Sequence, residues 1–396
     1  MSPRATSGVL AFPMSKGEDT LTVGTHTIPL VDLQAAHLEV AEEISDGFSR
    51  VLADGSFIKG PQVAGFEREF AAFSDAEHCI GVASGTDALE LALRAADLPP
   101  EAEVVVPANT FAATAAAVVR AGARPVFADV DPDYLLLDPA SVARVIGPAT
   151  AAIVPVHLYG QLAPMKALTD TASEHGIAVI EDAAQSHGAT QFGNPPGFLG
   201  LAAAVSFYPG KNLGAYGDAG AVLTNSPAVA RKVRLLGDHG SERKYVHAEL
   251  GFNSRLDSLQ AVVLRAKLRR LADWNERRRQ AAGRYHELFA GLDDITPPQT
   301  APGNVNVWHL YVVQVPDRDH VLETLQESGI QVGIHYPVPV HLQPAFRRYR
   351  YGPGDFPVAE AAAARIISLP LYPQITPDQQ QVVADALLSA VKASAP

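Results

Sequence analysis

Short apolar runs alternate with helical segments from His78 onward, and this alternation constrains the fold more than any other feature. Several runs are apolar at successive positions, which is typical of strands that helices cover on both faces. We therefore predict an α/β fold with a mainly parallel sheet built from βαβ units. The predicted strands are residues 78–83, 103–106, 125–130, 151–156, 177–181, 203–207 and 221–224.

The pattern changes after these strands. Apolar residues at helical spacing begin near Leu256 and an arginine-rich stretch follows, which predicts a long helix. Beyond it we expect a strand at 307–315, a helix at 320–327 and a strand at 330–335. Thr376 can cap a last helix whose first residue is Pro377. The predicted units are a flexible N-terminal tail (1–27), a large domain (28–275) and a small C-terminal domain (276–396).

Charge and composition narrow the class of partner. The net charge of -12 argues against a protein that neutralises the phosphate backbone of a nucleic acid. No apolar run approaches the roughly 18 residues that a membrane span needs, and the N-terminus lacks an export signal. Cys79, the single cysteine, cannot form an internal disulfide. We expect a cytoplasmic protein that acts on small molecules and contacts neither nucleic acid nor membrane.

A lysine follows one predicted strand in a turn rich in Gly and Pro. The segment reads Ser206-Phe207-Tyr208-Pro209-Gly210-Lys211-Asn212-Leu213-Gly214. A lone lysine is usually solvated and idle, so the turn alone is weak evidence. A Walker phosphate loop needs Gly where Val205 stands and Ser or Thr where Asn212 stands, so we predict no ATP binding.

Two acids, Glu181 and Asp182, end another apolar strand just before a turn. Alone they are equally consistent with a solvated strand end, although ligand sites in open α/β sheets gather at carboxyl ends of strands. An Asp at one strand end and Lys211 after the next strand are the two groups that pyridoxal phosphate requires. The amine can bind the aldehyde of the cofactor, and the carboxylate can pair with its pyridine nitrogen.

A third segment, Ser84-Gly85-Thr86, leads from a strand into a helix. The amides of Gly85 and Thr86 and the Thr86 hydroxyl can bind a phosphate, because a helix N-terminus carries partial positive charge. Ordinary capping by Ser84 explains the same residues about as well.

Seven ordered stretches resemble the DegT/StrS sugar aminotransferase family of fold-type I pyridoxal-phosphate enzymes. They are residues 57–61, 84–89, 107–111, 155–160, 181–185, the lysine turn and 253–257. The resemblance runs from Ile28 to the last helix and leaves out only the tail. It implies a large domain with a mainly parallel sheet sandwiched by helices, followed by a smaller C-terminal α/β domain.

The resemblance also implies roles for individual residues. Lys211 matches the lysine that holds the cofactor and Asp182 the partner of the ring nitrogen, which makes these two the catalytic residues. The other cofactor-binding residues are Gly85, Thr86 and Ser206 at the phosphate, Phe111 stacked on the ring, Gln185 near the phenolic oxygen, and Asn253 from a neighbouring subunit. Asn253 would make a homodimer with shared active sites the smallest working unit.

Further positions match the substrate side of the family, with a purely structural role as the alternative for each. They are His157, His187, Lys244, Tyr245, His335 and Tyr336. We predict no metal site, because His335 and His341 are separated by a segment with two prolines and lack metal-binding spacing.

The substrates that the resemblance implies are glutamate as amino donor and a nucleotide-linked keto-sugar as acceptor. The lysine turn followed by Tyr216-Gly217-Asp218 is similar to enzymes that aminate carbon 3 of a dTDP-3-keto-6-deoxyhexose in amino-sugar and antibiotic biosynthesis. Amination at carbon 4 or of UDP-linked 3-keto sugars remains open. Two further alternatives are a dehydratase that uses pyridoxamine phosphate, whose relatives carry His in place of the lysine, and a non-catalytic regulatory relative.

Overall fold

A computed structural model describes residues 27–394, so the predicted tail lies, but for Thr27, outside the described residues. The helices are α1 (Leu33–Leu38), α2 (Ala41–Asp54), α3 (Pro61–Phe73), α4 (Gly85–Ala95), α5 (Ala112–Arg120), α6 (Pro139–Val145), α7 (Met165–His175), α8 (Pro227–Gly237), α9 (Ser258–Leu288), α10 (Arg318–Glu327), α11 (Pro357–Ala363) and α12 (Pro377–Ser394). No helix in this range is long and apolar enough to cross a membrane.

The strands form one large sheet and three small ones. They are β1 (His78–Val82), β2 (Glu103–Pro107), β3 (Arg124–Ala128), β4 (Thr150–Ile153), β5 (Ala178–Asp182), β6 (Thr190–Gln191), β7 (Ala202–Ser206), β8 (Gly220–Thr224), β9 (Ser241–Arg243), β10 (Val246–His247), β11 (Asn304–Val305), β12 (Tyr311–Gln314) and β13 (Ile366–Leu369). The large sheet has seven strands in the order β1-β8-β7-β5-β4-β2-β3. Only β8 runs against its neighbours in this sheet, so the predicted mainly parallel sheet is confirmed.

Helices cover both faces of the sheet because its strands are apolar at successive positions. Val104 and Val106 of β2 pack in one core cluster with residues of α4, α5 and α8. Val105, between them, points to the other face and packs with residues of α6 and α7. The sandwich that the sequence predicts is therefore present.

The predicted strand at 330–335 is wrong. Ile330 forms a single bridge with Ile28, and Gly333 forms a single bridge with Ser368 on the other side. The segment crosses between two partners and pairs with each at one residue, so no ladder develops. β12 pairs with β13 instead, and the apolar run of β13 was overlooked in the sequence.

The other C-terminal predictions hold with shifted ends. β12 starts only at Tyr311 because Trp308 has a φ of 48°, which interrupts an extended chain. The helix expected at 320–327 is α10, and α12 starts at Pro377 with Thr376 Oγ1 accepting from the Gln379 amide at 3.2 Å. α9 is the predicted long helix, and it runs through residue 275, where the domain boundary was placed.

A buried aspartate joins β3 to the C-terminal part of the chain. The carboxylate of Asp129 accepts hydrogen bonds from the amides of Val358 at 3.0 Å and Ala359 at 2.9 Å, in the first turn of α11. An anion at a helix N-terminus satisfies amides that have no partner within the helix. Asp129 thereby fixes α11 against the edge of the large sheet.

We expect Asp129→Ala to lower the free energy of unfolding by about 2 kcal/mol, because it leaves buried amides unsatisfied. For a chain of this size the loss corresponds to a fall of roughly 2 °C in Tm, measured by differential scanning calorimetry. Asp170→Ala, which removes only an exposed pair with Lys166, is the control. Equal effects from the two changes would contradict the role of Asp129.

Candidate active site

The candidate site lies where strand ends meet at one edge of the large sheet. β5 ends at Asp182 and β7 ends at Ser206. Because β8 is reversed, its first residue, Gly220, pairs with both Ser206 and Val82, the last residue of β1. The topology therefore gathers three predicted segments, those of Asp182, Ser206 and Gly85.

Gly85 and Ser206 are in close contact at the N-terminus of α4. A Cβ atom on Gly85 would lie 2.5 Å from Cβ of Ser206, so only glycine fits there. Ser84 caps the helix, accepting from the Asp87 amide at 3.1 Å. Within residues 27–394 the amides of Gly85 and Thr86 have no acceptor. Ser84 therefore caps the helix, and the amides of Gly85 and Thr86 still form an open anion cradle.

Asp182 is 5% exposed, and both of its carboxylate oxygens are held. Oδ1 accepts from the Ala184 amide at 3.1 Å, and Oδ2 accepts from Thr114 Oγ1 at 2.8 Å. Burial raises the pKa of Asp182, while these hydrogen bonds and the charge of Lys211 act against the rise. A cation brought next to this carboxylate would stabilise its ionised form.

Lys211 lies in the turn between β7 and β8. Burial disfavours its ammonium form and lowers its pKa to about 8, although the nearby Asp182 carboxylate partly offsets this effect. No salt bridge joins the two among the described residues. A lysine with such a pKa has a substantial neutral, nucleophilic fraction near neutral pH.

Asn212, the next residue, anchors the lysine turn and was not singled out in the sequence as a site residue. Its Nδ2 donates to Asn275 Oδ1 at 3.0 Å and to the Val307 carbonyl at 2.9 Å. Its Oδ1 accepts from Nδ1 of His309 at 3.1 Å. The turn is thus tied to α9 and to the segment before β12.

An aromatic pair borders the site. The rings of Phe111 and Tyr336 have centroids 5.3 Å apart. Gln185 donates from Nε2 to Tyr336 Oη at 3.3 Å, and its Oε1 accepts from the Tyr159 amide at 2.7 Å. Phe111 is 54% exposed although it lies at the start of α5, so part of its ring is free to contact a ligand.

The three candidate histidines are buried or half-buried and are bonded within the protein. His157 Nδ1 accepts from the Ala163 amide, so the proton is on Nε2, which donates to Glu181 at 2.7 Å. His187 Nε2 donates to the Ser206 carbonyl at 2.8 Å, and His335 Nδ1 lies 2.8 Å from Ser368 Oγ.

The pKa of two of these histidines lies well below its ordinary value. Burial lowers the pKa of His187 to about 3 and that of His335 to about 4, and the charge of Lys211 adds to both effects. Contact of the three histidines with a substrate remains a prediction. Within the described range no three His, Cys, Asp or Glu side chains are grouped to hold a metal ion.

Three predicted residues lie at the surface of the chain. Lys244 and Tyr245 form the tip of the β9–β10 hairpin, where Tyr245 is 84% exposed and Lys244 Nζ lies 5.2 Å from its ring centroid. Asn253 is exposed and pairs with Asp238 through a main-chain bridge only. Its side chain has no hydrogen-bond partner in the part of the chain that the structure describes.

Thr114 was also missed in the sequence. The sequence feature that could have indicated its role is a hydroxyl residue in a helix, α5, that otherwise contains only Ala, Val and a terminal Arg. Thr114 lies three positions after Phe111. A polar residue in such a helix favours a specific bonding role, but the partner lies far away in sequence.

The site fits pyridoxal phosphate. Lys211 offers an amine free of a salt bridge, and Asp182 offers a buried carboxylate. The amides of Gly85 and Thr86 lie beside Ser206 and are open to an anion. These groups match the aldehyde, the ring nitrogen and the phosphate of the cofactor in turn.

Comparisons with known proteins identify a family. The profile of the DegT/DnrJ/EryC1/StrS aminotransferase family matches residues 39–388. The chain is 48% identical over 93% of its length to the whole of the erythromycin biosynthesis sensory transduction protein EryC1 of Saccharopolyspora erythraea. It is 45% identical to the dTDP-3-amino-3,4,6-trideoxy-alpha-D-glucose transaminase of Streptomyces venezuelae, over 92% of this chain and 96% of that one.

A solved structure shows the same fold. The crystal structure of S. venezuelae DesV in complex with a ketimine intermediate superposes with a TM-score of 0.90. The two sequences are 45% identical, and the match covers 92% of this chain and 99% of DesV.

In the cofactor-free protein we expect Lys211 to react with an amine-acylating reagent with a midpoint near pH 8, because burial disfavours its ammonium form. Asp182→Asn should move the midpoint lower, since the change removes the carboxylate that favours the charged amine. Mass spectrometry of the Lys211 peptide after pulse labelling across pH measures both values. A midpoint near 10.5, the ordinary value, or one insensitive to Asp182→Asn would contradict this description of the site.

Proposed function

Because the chain belongs to the DegT/DnrJ/EryC1/StrS aminotransferase family, we propose that it moves an amino group from glutamate to a nucleotide-linked keto-sugar. The family is pyridoxal-phosphate dependent, and the chain is an aminotransferase, as its resemblance in sequence implied. The acceptor that we propose is a dTDP-3-keto-6-deoxyhexose, aminated at carbon 3. The observation that carries the proposal is Asp182 at the end of β5 and Lys211 in the turn after the adjacent strand β7, together with the open anion site at the start of α4.

Lys211 has two tasks in this proposal. When bound, pyridoxal phosphate supplies an electron sink and a carrier for the amino group. Lys211 Nζ would be the group that holds the aldehyde of the cofactor. Burial favours the neutral amine of Lys211, and that amine would be the base that takes a proton from the α-carbon of glutamate.

The remaining site residues would bind the cofactor and polarise its ring. Two donors on its oxygens fix the orientation of the Asp182 carboxylate, which would keep a proton on the ring nitrogen of the cofactor. The Gly85 and Thr86 amides and the Ser206 hydroxyl bind the phosphate. The exposed ring of Phe111 would contact the pyridine of the cofactor.

The choice of sugar is supported by a relative. The Streptomyces venezuelae transaminase, at 45% identity, is named for a dTDP-linked sugar with its amino group on carbon 3. The family and the lysine turn of this chain agree with that chemistry. Lys211 argues against the dehydratase alternative. EryC1, although named for sensory transduction, does not favour a regulatory role here, because Lys211 and Asp182 are both present in the site.

We further propose a homodimer with shared active sites. Asn253 is exposed without a side-chain partner in the described chain, as expected for a residue that completes the site of another subunit. Its neighbours in sequence include Tyr245, 84% exposed, and Leu250, 97% exposed, which a second chain would cover. Ser254 Oγ donates to Asp87 at 2.8 Å and so fastens this segment to α4.

A cytoplasmic location is consistent with the buried free thiol of Cys79.

Incubation of the purified protein with pyridoxal phosphate, glutamate and dTDP-3-keto-6-deoxyglucose should give the 3-amino sugar, identified by NMR. Lys211→Arg keeps the charge but removes the required amine, so we expect kcat to fall roughly thousandfold or more. A parallel screen with 4-keto and UDP-linked 3-keto sugars defines the acceptor. A deoxygenated product would instead indicate the dehydratase. Cofactor uptake without conversion to the pyridoxamine form by any amino donor would indicate a regulatory protein.

The shared site is tested by mixing two inactive or weakened chains. A hybrid of Asn253→Ala and Lys211→Ala chains should contain one intact site, with Lys211 from one subunit and Asn253 from the other. Random reassociation should then give about a quarter of wild-type activity. Hybrid formation, shown by native mass spectrometry, without any gain over the diluted Asn253→Ala dimer would contradict the shared site.

A further inference from the structure

Two threonine hydroxyls lie directly behind the catalytic carboxylate. Thr110 is 2% and Thr114 1% exposed, and their Oγ1 atoms are 2.8 Å apart. Thr114 Oγ1 in turn lies 2.8 Å from Asp182 Oδ2, across 68 positions of sequence. The three groups form a continuous chain of hydrogen bonds in a buried region.

The ionised carboxylate fixes the direction of this chain. A carboxylate can only accept, so the single hydroxyl proton of Thr114 must point to Asp182. Thr114 Oγ1 is then available only as an acceptor for the proton of Thr110. Both hydroxyl dipoles therefore point toward the negative charge, and hydrogen bonds aligned in this way strengthen one another.

Packing alone does not explain Thr114. The rest of α5 is Ala, Val and a terminal Arg, and Thr is a poorer helix former than Ala. A buried hydroxyl also costs free energy unless it is bonded. Val has nearly the same shape and a similar helix propensity, and it would fill the space without burying a hydroxyl, so the hydroxyl has a use that packing does not supply.

The same helix start carries a second part of the site. Phe111 is the N-cap residue of α5, and Thr114 follows three positions later, which places the two on neighbouring parts of one turn. The Thr114 amide donates to the Phe111 carbonyl at 3.1 Å. A single turn therefore sets both the exposed aromatic ring and the donor to Asp182.

We propose that Thr110 and Thr114 form a hydroxyl relay that positions the Asp182 carboxylate and holds it ionised for the ring nitrogen of the cofactor. Thr114 is the inner positioning residue and Thr110 the outer one. The inference rests on the proposed function, in which Asp182 keeps that nitrogen protonated. Both threonines would act on the chemistry through Asp182 and not by contact with the cofactor.

The test compares Thr114→Val, which keeps the shape and removes the donor, with Thr114→Ser, which keeps the hydroxyl. We expect Thr114→Val to lower kcat roughly tenfold to a hundredfold, because it removes one hydrogen bond to a charged group. The KM for glutamate should change by no more than roughly twofold, since the group acts on rate and not on substrate binding. Thr114→Ser should recover most of the loss.

A spectroscopic readout separates this role from a structural one. In protein loaded with ¹⁵N-labelled pyridoxal phosphate, the nitrogen shift reports whether the ring nitrogen is protonated. Thr114→Val should shift it toward the unprotonated form, Thr114→Ser should not, and Thr110→Val should shift it by a smaller amount. If Thr114→Val fails to fold, the Thr110→Val and Thr114→Ser pair supplies the same comparison.

Asp182→Asn distinguishes the relay from the function on which it rests. A ring nitrogen that stays protonated in Asp182→Asn overturns the proposed role of Asp182 itself. A nitrogen that loses its proton in Asp182→Asn but keeps it in Thr114→Val, or in Thr110→Val where that variant replaces it, overturns the relay alone. Equal loss of kcat in Thr114→Val and Thr114→Ser also overturns it, because the hydroxyl would then be irrelevant.

Discussion

The interaction on which the site depends is that between a buried carboxylate, Asp182, and a buried amine, Lys211. Burial favours the neutral form of Asp182 and the neutral form of Lys211 alike. The charge of each group acts against the effect of burial on the other, since Lys211 lowers the pKa of Asp182 and Asp182 raises that of Lys211. A cationic ring nitrogen placed between strand ends would satisfy Asp182 and leave the amine of Lys211 free to react.

The sheet topology makes this arrangement possible. β1, β5 and β7 run in the same direction, so their carboxyl ends meet at one edge of the sheet, and the start of β8 lies at that edge between β1 and β7. The reversed β8 brings Gly220 against both Val82 and Ser206, so the start of α4 arrives next to the end of β7. The close contact of Gly85 with Ser206 follows from that register.

Much of this could be predicted from the sequence, because strand ends and turns are local features. Apolar runs located the strands of the large sheet to within a few residues, and Asp182 and Lys211 stood out at their ends. Thr114 and Asn212 could not be assigned in the same way, since their partners lie 68 and 63 to 97 positions away. The strand prediction for 330–335 was wrong for a related reason. The apolar pattern fits a strand, but the segment forms only one bridge with each of two distant partners.

The site residues fall into a buried group and an exposed group. Asp182, Gln185 and Asn212 are buried, and all are held by bonds within the chain, which is the rigidity that a precise catalytic geometry requires. Phe111 and Asn253 remain exposed, although each follows a segment that is itself well fixed. Rigid supports that end in exposed side chains are expected where binding partners complete a surface. In the function proposed above, the buried residues would hold the cofactor, the exposed ring of Phe111 would contact its pyridine, and Asn253 would complete the site of a second subunit.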